Sequence, residues 1–399
     1  IGGVVLASTK ALPRGQAGQG LQFLGGDALF RYNSANESFQ EHVQLRLGYD
    51  DDMAFSIGLT KGEFNNLHMG DTTALPNSDF ENWGGFFRME YDLDQNSTFL
   101  LGYDHYDVDG TNRVHKTQSS KSWHGTSVTS SSSEGERITD FDCRALFARY
   151  MFRDGTGVIK EADFGLSYQY MAEDYRRNGI DGSANKNQDF QDETYGANLK
   201  LVSDSSIGEL TYGFDFYYDT VDSHNPDEVQ GVVADDAEYY QLGLYVQDKY
   251  QIADDLDIIG GVRYSWVRLN ANQVKDVGEV SSDYSSFTSS LHLVKRFTED
   301  VNGFIGVAQG FRAPNLSDAT RDGDFASSGS EVPTGDLDPE YFTTFEAGLN
   351  VTKENYNVQL SVFHTDIKDM IVRLRNPTDA KRNVDGYING IELAGEYWF

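Results

Sequence analysis

In sixteen short segments of this chain, apolar and aromatic residues fall on every second position and polar residues fill the positions between. The clearest places Trp83, Gly85, Phe87, Met89, Tyr91 and Leu93 on one side, and Asn82, Gly84, Phe86, Arg88, Glu90 and Asp92 on the other. A period of two sends the two sets to opposite faces of a strand. One face is richer in aromatics than a soluble sandwich needs, and the other is too polar for a packed interior. Repeated along a chain, this combination predicts an all-β, antiparallel, transmembrane β-barrel, with lipid against one face and a polar lumen behind the other.

The segments lie at 20–32, 37–49, 53–61, 80–93, 97–107, 139–153, 161–172, 190–203, 207–219, 237–251, 255–269, 283–297, 302–312, 340–352, 355–373 and 385–399. Val43, Leu45, Leu47 and Tyr49 oppose His42, Gln44 and Arg46; Leu210, Tyr212, Phe214, Phe216 and Tyr218 oppose Thr211, Gly213 and Asp215. Strands of about 12 residues, tilted near 45°, cover the hydrocarbon thickness. The connections alternate. Tight turns such as Asp50-Asp51-Asp52, Asp94-Gln95-Asn96, Asp204-Ser205-Ser206 and Thr298-Glu299-Asp300 follow even segments. Long stretches at about 62–79, 108–138, 173–189, 220–236 and 313–339 follow odd ones. Outer-membrane barrels have short periplasmic turns and long external loops, whereas a soluble propeller has no reason to keep such asymmetry. The polar stretch 108–138, with its run Ser130 to Ser133, is expected to be mobile.

Composition narrows the picture. Among 399 residues the hydrophobic share is 39%, mean hydropathy is -0.52 and no apolar run approaches a transmembrane helix. Aromatic content of 13% suits interfacial girdles, and of only 7 Pro few fall inside the segments, as ladder hydrogen bonding demands. A net charge of -31 disfavours a nucleic-acid partner. Acidic stretches such as 219–238 either bind divalent cations or reflect habitat and solubility; no EF-hand spacing is present. Cys143 is the single cysteine, so no internal disulfide forms. No signal peptide precedes Ile1, which reads as a removed leader or an incomplete start.

Four stretches resemble TonB-dependent outer-membrane receptors. Ile1-Gly2-Gly3-Val4-Val5 with Ser8-Thr9-Lys10 resembles the last strand of that family's plug domain. Tyr245-Val246-Gln247-Asp248-Lys249-Tyr250 and Gly260-Gly261-Val262-Arg263-Tyr264 resemble its mid-barrel hairpin. Gly310-Phe311-Arg312-Ala313-Pro314-Asn315-Leu316, then Leu337-Asp338-Pro339-Glu340 and Phe345-Glu346-Ala347-Gly348-Leu349, resemble boxes that flank an external loop. Asp366-Ile367-Lys368-Asp369-Met370-Ile371 and Asn389-Gly390-Ile391-Glu392 complete the set, in the family's order.

The resemblance implies a barrel of about 22 strands around a plug. On that footing residues 1–18 are the end of the plug and its link, and 19–399 are barrel strands with long extracellular loops. The plug body, the N-terminal energy-coupling box and about six strands are then missing, and the sheet is open or incomplete, with no ladder between 20–32 and 385–399. Against this stands a complete, sixteen-stranded passive porin: Phe399, in phase with Tyr397, Gly395, Leu393 and Ile391, has the form of a closing strand. The implied function is energy-coupled uptake of a metal chelate (ferric siderophore, cobalamin or haem) across the outer membrane of a Gram-negative bacterium. The implied partners are a TonB-type energy-coupling complex, reached through the missing box, together with outer-membrane lipid and the small chelate.

The candidate ligand-binding residues are Tyr175, Arg176, Arg177, Arg312 and Asn315. The Tyr175–Arg177 group meets an anionic chelate or is a solvated loop tip. Arg312, at the rim beneath a long loop, clamps an anion or pairs with Glu340 or Glu346. Pro314 lacks a donor, so the ladder should stop there. The family's haem receptors carry a His between the two boxes, and residues 313–339 contain none, which favours a siderophore or a cobalamin-like ligand; His68, His115, His124 and His224 keep haem open. His42, His105 and His364 read as hydrogen-bonded lining residues. No nucleophile elbow, Walker loop or zinc spacing appears, so neither enzymatic activity nor a resident cofactor or metal is expected. An outer-membrane enzyme would need a surface Ser/His pair, and none can be picked out.

Overall fold

The computed structural model describes residues 11–70, 74–112, 134–154, 156–179, 186–325, 329–373 and 380–399. The plug-like start at 1–10, and the serine run expected to be mobile, lie outside these.

The strands are β1 (Leu21–Asn33), β2 (Ser38–Tyr49), β3 (Met53–Phe64), β4 (Phe80–Asp92), β5 (Ser97–Asn112), β6 (Glu134–Arg153), β7 (Ile159–Gly179), β8 (Lys186–Ser205), β9 (Gly208–His224), β10 (Asp235–Ala253), β11 (Leu256–Val274), β12 (Gly278–Arg296) and β13 (Val301–Arg312). A short helix α1 (Leu316–Thr320) and a small hairpin, β14 (Gly323–Phe325) with β15 (Gly329–Glu331), follow; β16 (Glu340–Lys353), β17 (Tyr356–Arg373) and β18 (Lys381–Tyr397) complete the chain. Sixteen of them form one sheet in chain order, with β14 and β15 apart. In that order β1 pairs only with β2 and β18 only with β17, so among the described residues no ladder closes a sixteen-stranded porin.

All sixteen expected segments are strands. The differences lie at the ends joined by long connections: β6 starts at Glu134, β7 runs to Gly179, β9 to His224 and β11 to Val274, and β12 starts at Gly278. Parts of the expected loops 173–189 and 220–236 are therefore strand. The ladder hydrogen bonds continue there, but both faces meet water and the apolar alternation that marks a strand in sequence fades.

The chain divides into two compact units, 1–151 with 167–187 and 152–166 with 188–399. In the first, β1 to β5 form successive antiparallel ladders. Leu59, 63% exposed, stands in register between Val43 and Gly85 on an outward apolar face that also carries Ile57 and Trp83. The opposite face carries ion pairs, Arg88 with Asp104 (2.9 Å) and Arg46 with Asp27 (2.8 Å), and a His42–Thr60 hydrogen bond (2.8 Å). Ahead of β1, Arg14 binds both oxygens of Asp92 (2.7 and 2.8 Å) and Glu90 (2.9 Å), fixing the incoming chain on this polar face.

In the second unit the outward row Phe214, Leu244 and Tyr264 runs across β9, β10 and β11, with Tyr212, Val246 and Val262 beside it. Leu244 and Val262 are each 47% exposed. A contiguous apolar face of this kind is unusual on a soluble monomer and is what a bilayer covers. Stacked Tyr195, Tyr218 and Tyr240 (ring centroids 6.1 and 4.5 Å apart) border it towards the long connections, as an interfacial girdle does. The inner face is polar: Arg263 binds Asp215 and His292 meets Glu346 (3.0 Å).

Candidate functional site

The main buried apolar cluster lies in the second unit, on the inner face towards the ends of β9 to β12. Val221, Ala237, Tyr239, Leu269, Ala271 and Val280 come from the strands, and Val233, Ala234, Ala313, Leu316 and Ala319 from the connections after β9 and β13. Two segments expected as external loops are thus turned in against the polar face of the wall.

The local causes are readable. The ladder ends at the Arg312–Glu340 pair, and two residues later Pro314, without an N–H, takes the chain off the sheet as expected. Asn315 then caps α1: its Oδ1 accepts from the Asp318 N–H (2.7 Å), and Asp318 Oδ2 accepts from the Asn315 N–H (3.2 Å). Five residues do not hold a helix alone, so the packing of Leu316 and Ala319 stabilises it. Polar contacts seat the two connections on each other and on the strands. Gln230 donates to Thr320 O (2.7 Å), Ala234 N–H to Thr320 Oγ1 (3.0 Å), and the Tyr239 hydroxyl to Pro314 O (3.2 Å). Lys275, between β11 and β12, binds Asp322 (2.8 Å) and Glu228 (2.7 Å), and these carboxylates hold its ammonium charged.

Along one side runs a chain of alternating charges. Glu340 pairs with Arg312; Arg312 reaches Asp318 (2.6 Å); Lys381 of β18 stands between Asp318 (3.4 Å) and Glu331 (2.9 Å). The last contact is an ion pair without hydrogen-bond alignment. Arg321 (3.6 Å) and Arg373 (4.0 Å) also approach Glu331. The Glu331 and Glu340 side chains are nearly fully buried, and the two carboxylates around Arg312, Glu340 first, raise its pKa further.

Of the five candidate residues, Arg312 and Asn315 meet in this network. Arg312 pairs with Glu340, while Glu346 is taken by His292. Tyr175, Arg176 and Arg177 belong to the first unit and lie on β7, not in a loop. Strand alternation sends Arg176 to the face opposite Tyr175 and Arg177, so they do not form one tip. Arg176 pairs with Asp140 (2.8 Å), and Arg137 lies over the Tyr175 ring at 5.9 Å. His42, His105 and His364 are hydrogen-bonded, but His105 and His364 sit on the outward face, in register with Gly85 and Phe345, while His115 and His124 lie outside the described residues. Sequence reasoning missed Asp318, Glu331 and Lys381. The Asn315-x-x-Asp318 capping-box spacing after Pro314 could have suggested the cap; nothing local marks Lys381.

The family model described as "TonB dependent receptor-like, beta-barrel" matches residues 124–399. A curated relative, "Probable TonB-dependent siderophore receptor PirA" of Acinetobacter baumannii, is 24% identical over 139 residues, covering 32% of this chain and 17% of that protein. Among solved structures, the Serratia marcescens hemophore receptor HasR, in complex with its hemophore HasA and heme, superposes with TM-score 0.74 at 16% identity over 95% of this chain and 61% of its own. The copper transporter OprC gives TM-score 0.73 at 15% identity over 97% and 60%. The chain therefore spans about three fifths of the length of these structures.

Proposed function

Since the chain belongs to the TonB-dependent receptor β-barrel family, we propose that it supplies the barrel wall and loops of a receptor for energy-coupled uptake of a metal chelate. Its place is the outer membrane of a Gram-negative bacterium, as for the family. The observation that carries the reading is the two-sided wall with segments 225–234 and 313–320 turned in over its inner face. A ligand arriving from the long-connection side meets these segments first, and Arg312 and Arg321, whose side chains stay 40% and 35% exposed, present cationic groups towards an anionic chelate. The relatives named for siderophore, heme and copper mark the range of cargo. In this reading residues 1–18 close a plug domain, and the anchoring of Arg14 on Glu90 and Asp92 ties that link to the inner face. The TonB-type complex acts through that plug.

Cells carrying the intact protein should accumulate a labelled ferric chelate, and accumulation should stop when the inner-membrane energy complex is deleted. Flux of small solutes that persists without that complex, with no saturable chelate binding, would replace the receptor reading with a passive pore.

A further inference from the structure

A second cluster lies in the first unit, on the outward face. Along β5 the outward positions change from Phe99, Leu101 and Tyr103 to His105, Asp107 and Asp109, so the apolar band ends at Tyr103. Just above that edge His105 Nε2 lies 3.1 Å from Asp142 Oδ1 of β6. One ligand atom each from His105, Asp107 and Asp142 falls within 4.8 Å of the other two. The site is built rather than incidental. Trp83 on β4 packs edge-on against the imidazole (4.4 Å between centroids), and Arg144, itself over the Tyr170 ring at 5.3 Å, holds Asp142 from the far side. The side chains of His105 and Asp142 are 15% and 21% exposed.

Asp107 faces the carboxylates of Asp109 and Asp142, with the His105 imidazole as its favourable partner in the cluster. Such a group needs a proton or a cation between it and its neighbours.

We propose that His105, Asp107 and Asp142 bind one divalent transition-metal ion at the outer edge of the lipid band. One imidazole with two carboxylates suits zinc-like first-row ions, whereas an all-oxygen set would suit calcium or magnesium. The three atoms lie within side-chain rotations of the roughly 2.0–2.2 Å bonds such ions make. The ion joins β5 to β6, offsets the clustered carboxylates, and keeps its remaining position open towards the lipid headgroups. This site is separate from the cargo route, because it lies on the outward face.

The test is titration of the intact protein, purified in detergent and stripped with chelator, with Co2+ followed by visible absorption and calorimetry. One equivalent should bind, Zn2+ should displace it, and binding should weaken in acid, where protons compete with the metal for its ligands. His105→Gln and Asp107→Asn should each weaken it by about tenfold or more, while His42→Gln on the inner face leaves it unchanged. Preserved heat-modifiable gel mobility confirms that the variants are folded. No stoichiometric uptake, uptake that both variants leave unchanged, or displacement by Mg2+ as readily as by Zn2+ would overturn the proposal.

Discussion

Arg263 on β11 holds Asp215 on β9 across the whole width of β10, donating from Nη1 to Oδ1 (2.8 Å) and from Nη2 to Oδ2 (2.7 Å). The bridge crosses at Gly243, where a Cβ would lie 1.8 Å from Nη2. Both side chains remain partly exposed to the lumen, so the bidentate pair is worth about 1 kcal/mol. Gly243→Ala should displace the mobile guanidinium rather than the backbone and cost about that amount. In an Arg263→Met background the same alanine should be neutral or slightly stabilising, because the unfolded chain then loses freedom at no steric cost. Urea midpoints of the four proteins form the cycle; equal effects of Gly243→Ala in both backgrounds would separate the glycine from the bridge.

Arg312→Gln leaves Glu340 and Asp318 without their shared cation. Breaking a buried pair costs several kcal/mol, but Arg312 is 40% exposed, so about 2 kcal/mol is expected. The loss should be local, since the pair closes the last rung of the β13–β16 ladder and fixes a five-residue helix. Amide exchange at Asp318 and Ala319 should accelerate while the β10–β11 amides keep their protection. Unchanged exchange at those two amides would mean that apolar packing alone seats α1.

Asp192 on β8 has a buried Oδ1 with no hydrogen-bond partner among the described residues, and burial, with Asp219 nearby, lifts its carboxyl to about 6. The folded state therefore binds the proton more tightly than the unfolded one. Stability falls as pH rises from about 4 through 6, and the penalty is fully present above that window. The group is only half buried, which reduces the effect to about 1 kcal/mol. Asp192→Asn should stabilise the protein by that amount near ~pH 8 and leave it unchanged near ~pH 4. A gain of equal size at both values would point to packing instead of charge.

The sixteen strands were legible because lipid enforces their alternation, and the tight turns were legible because polar residues interrupt it. Where β7 leaves the lipid band at about Tyr170 and continues to Gly179, that enforcement stops, and Tyr175, Arg176 and Arg177 read as loop although they are strand. The rim was half legible. Arg312, Pro314 and Glu340 were identifiable as a strand end with a salt-bridge partner, and the structure has that pair. Lys381 and Glu331 were not, because 50 residues of chain separate them and no periodicity encodes which charge meets which across an in-turned connection. His105 shows the same limit: its alternation put it on a face, but only its contact with Asp142 of β6, far along the chain, gives it a partner.

The two faces of the wall should answer oppositely to the same charge. Leu244 sits on the outward face of β10, flanked in register by Phe214 and Tyr264. Tyr240 and Tyr250 on the same face bracket it four and six residues away, which at a strand tilt near 45° places it about midway through a band of roughly 25 Å. Leu244→Arg should therefore cost about 2–4 kcal/mol of folding free energy in lipid vesicles, the penalty of a cation near the bilayer midplane. Gln247→Arg lies three residues on and points into the lumen, beside Thr211 and Gly261. It keeps its hydration there, so a change within about 0.5 kcal/mol is expected. In detergent, where a flexible micelle lets the arginine reach water, the Leu244→Arg penalty should shrink while the Gln247→Arg value stays put. Equal penalties at both positions in vesicles would mean that neither face is wetted, and a cost confined to Gln247→Arg would reverse the faces.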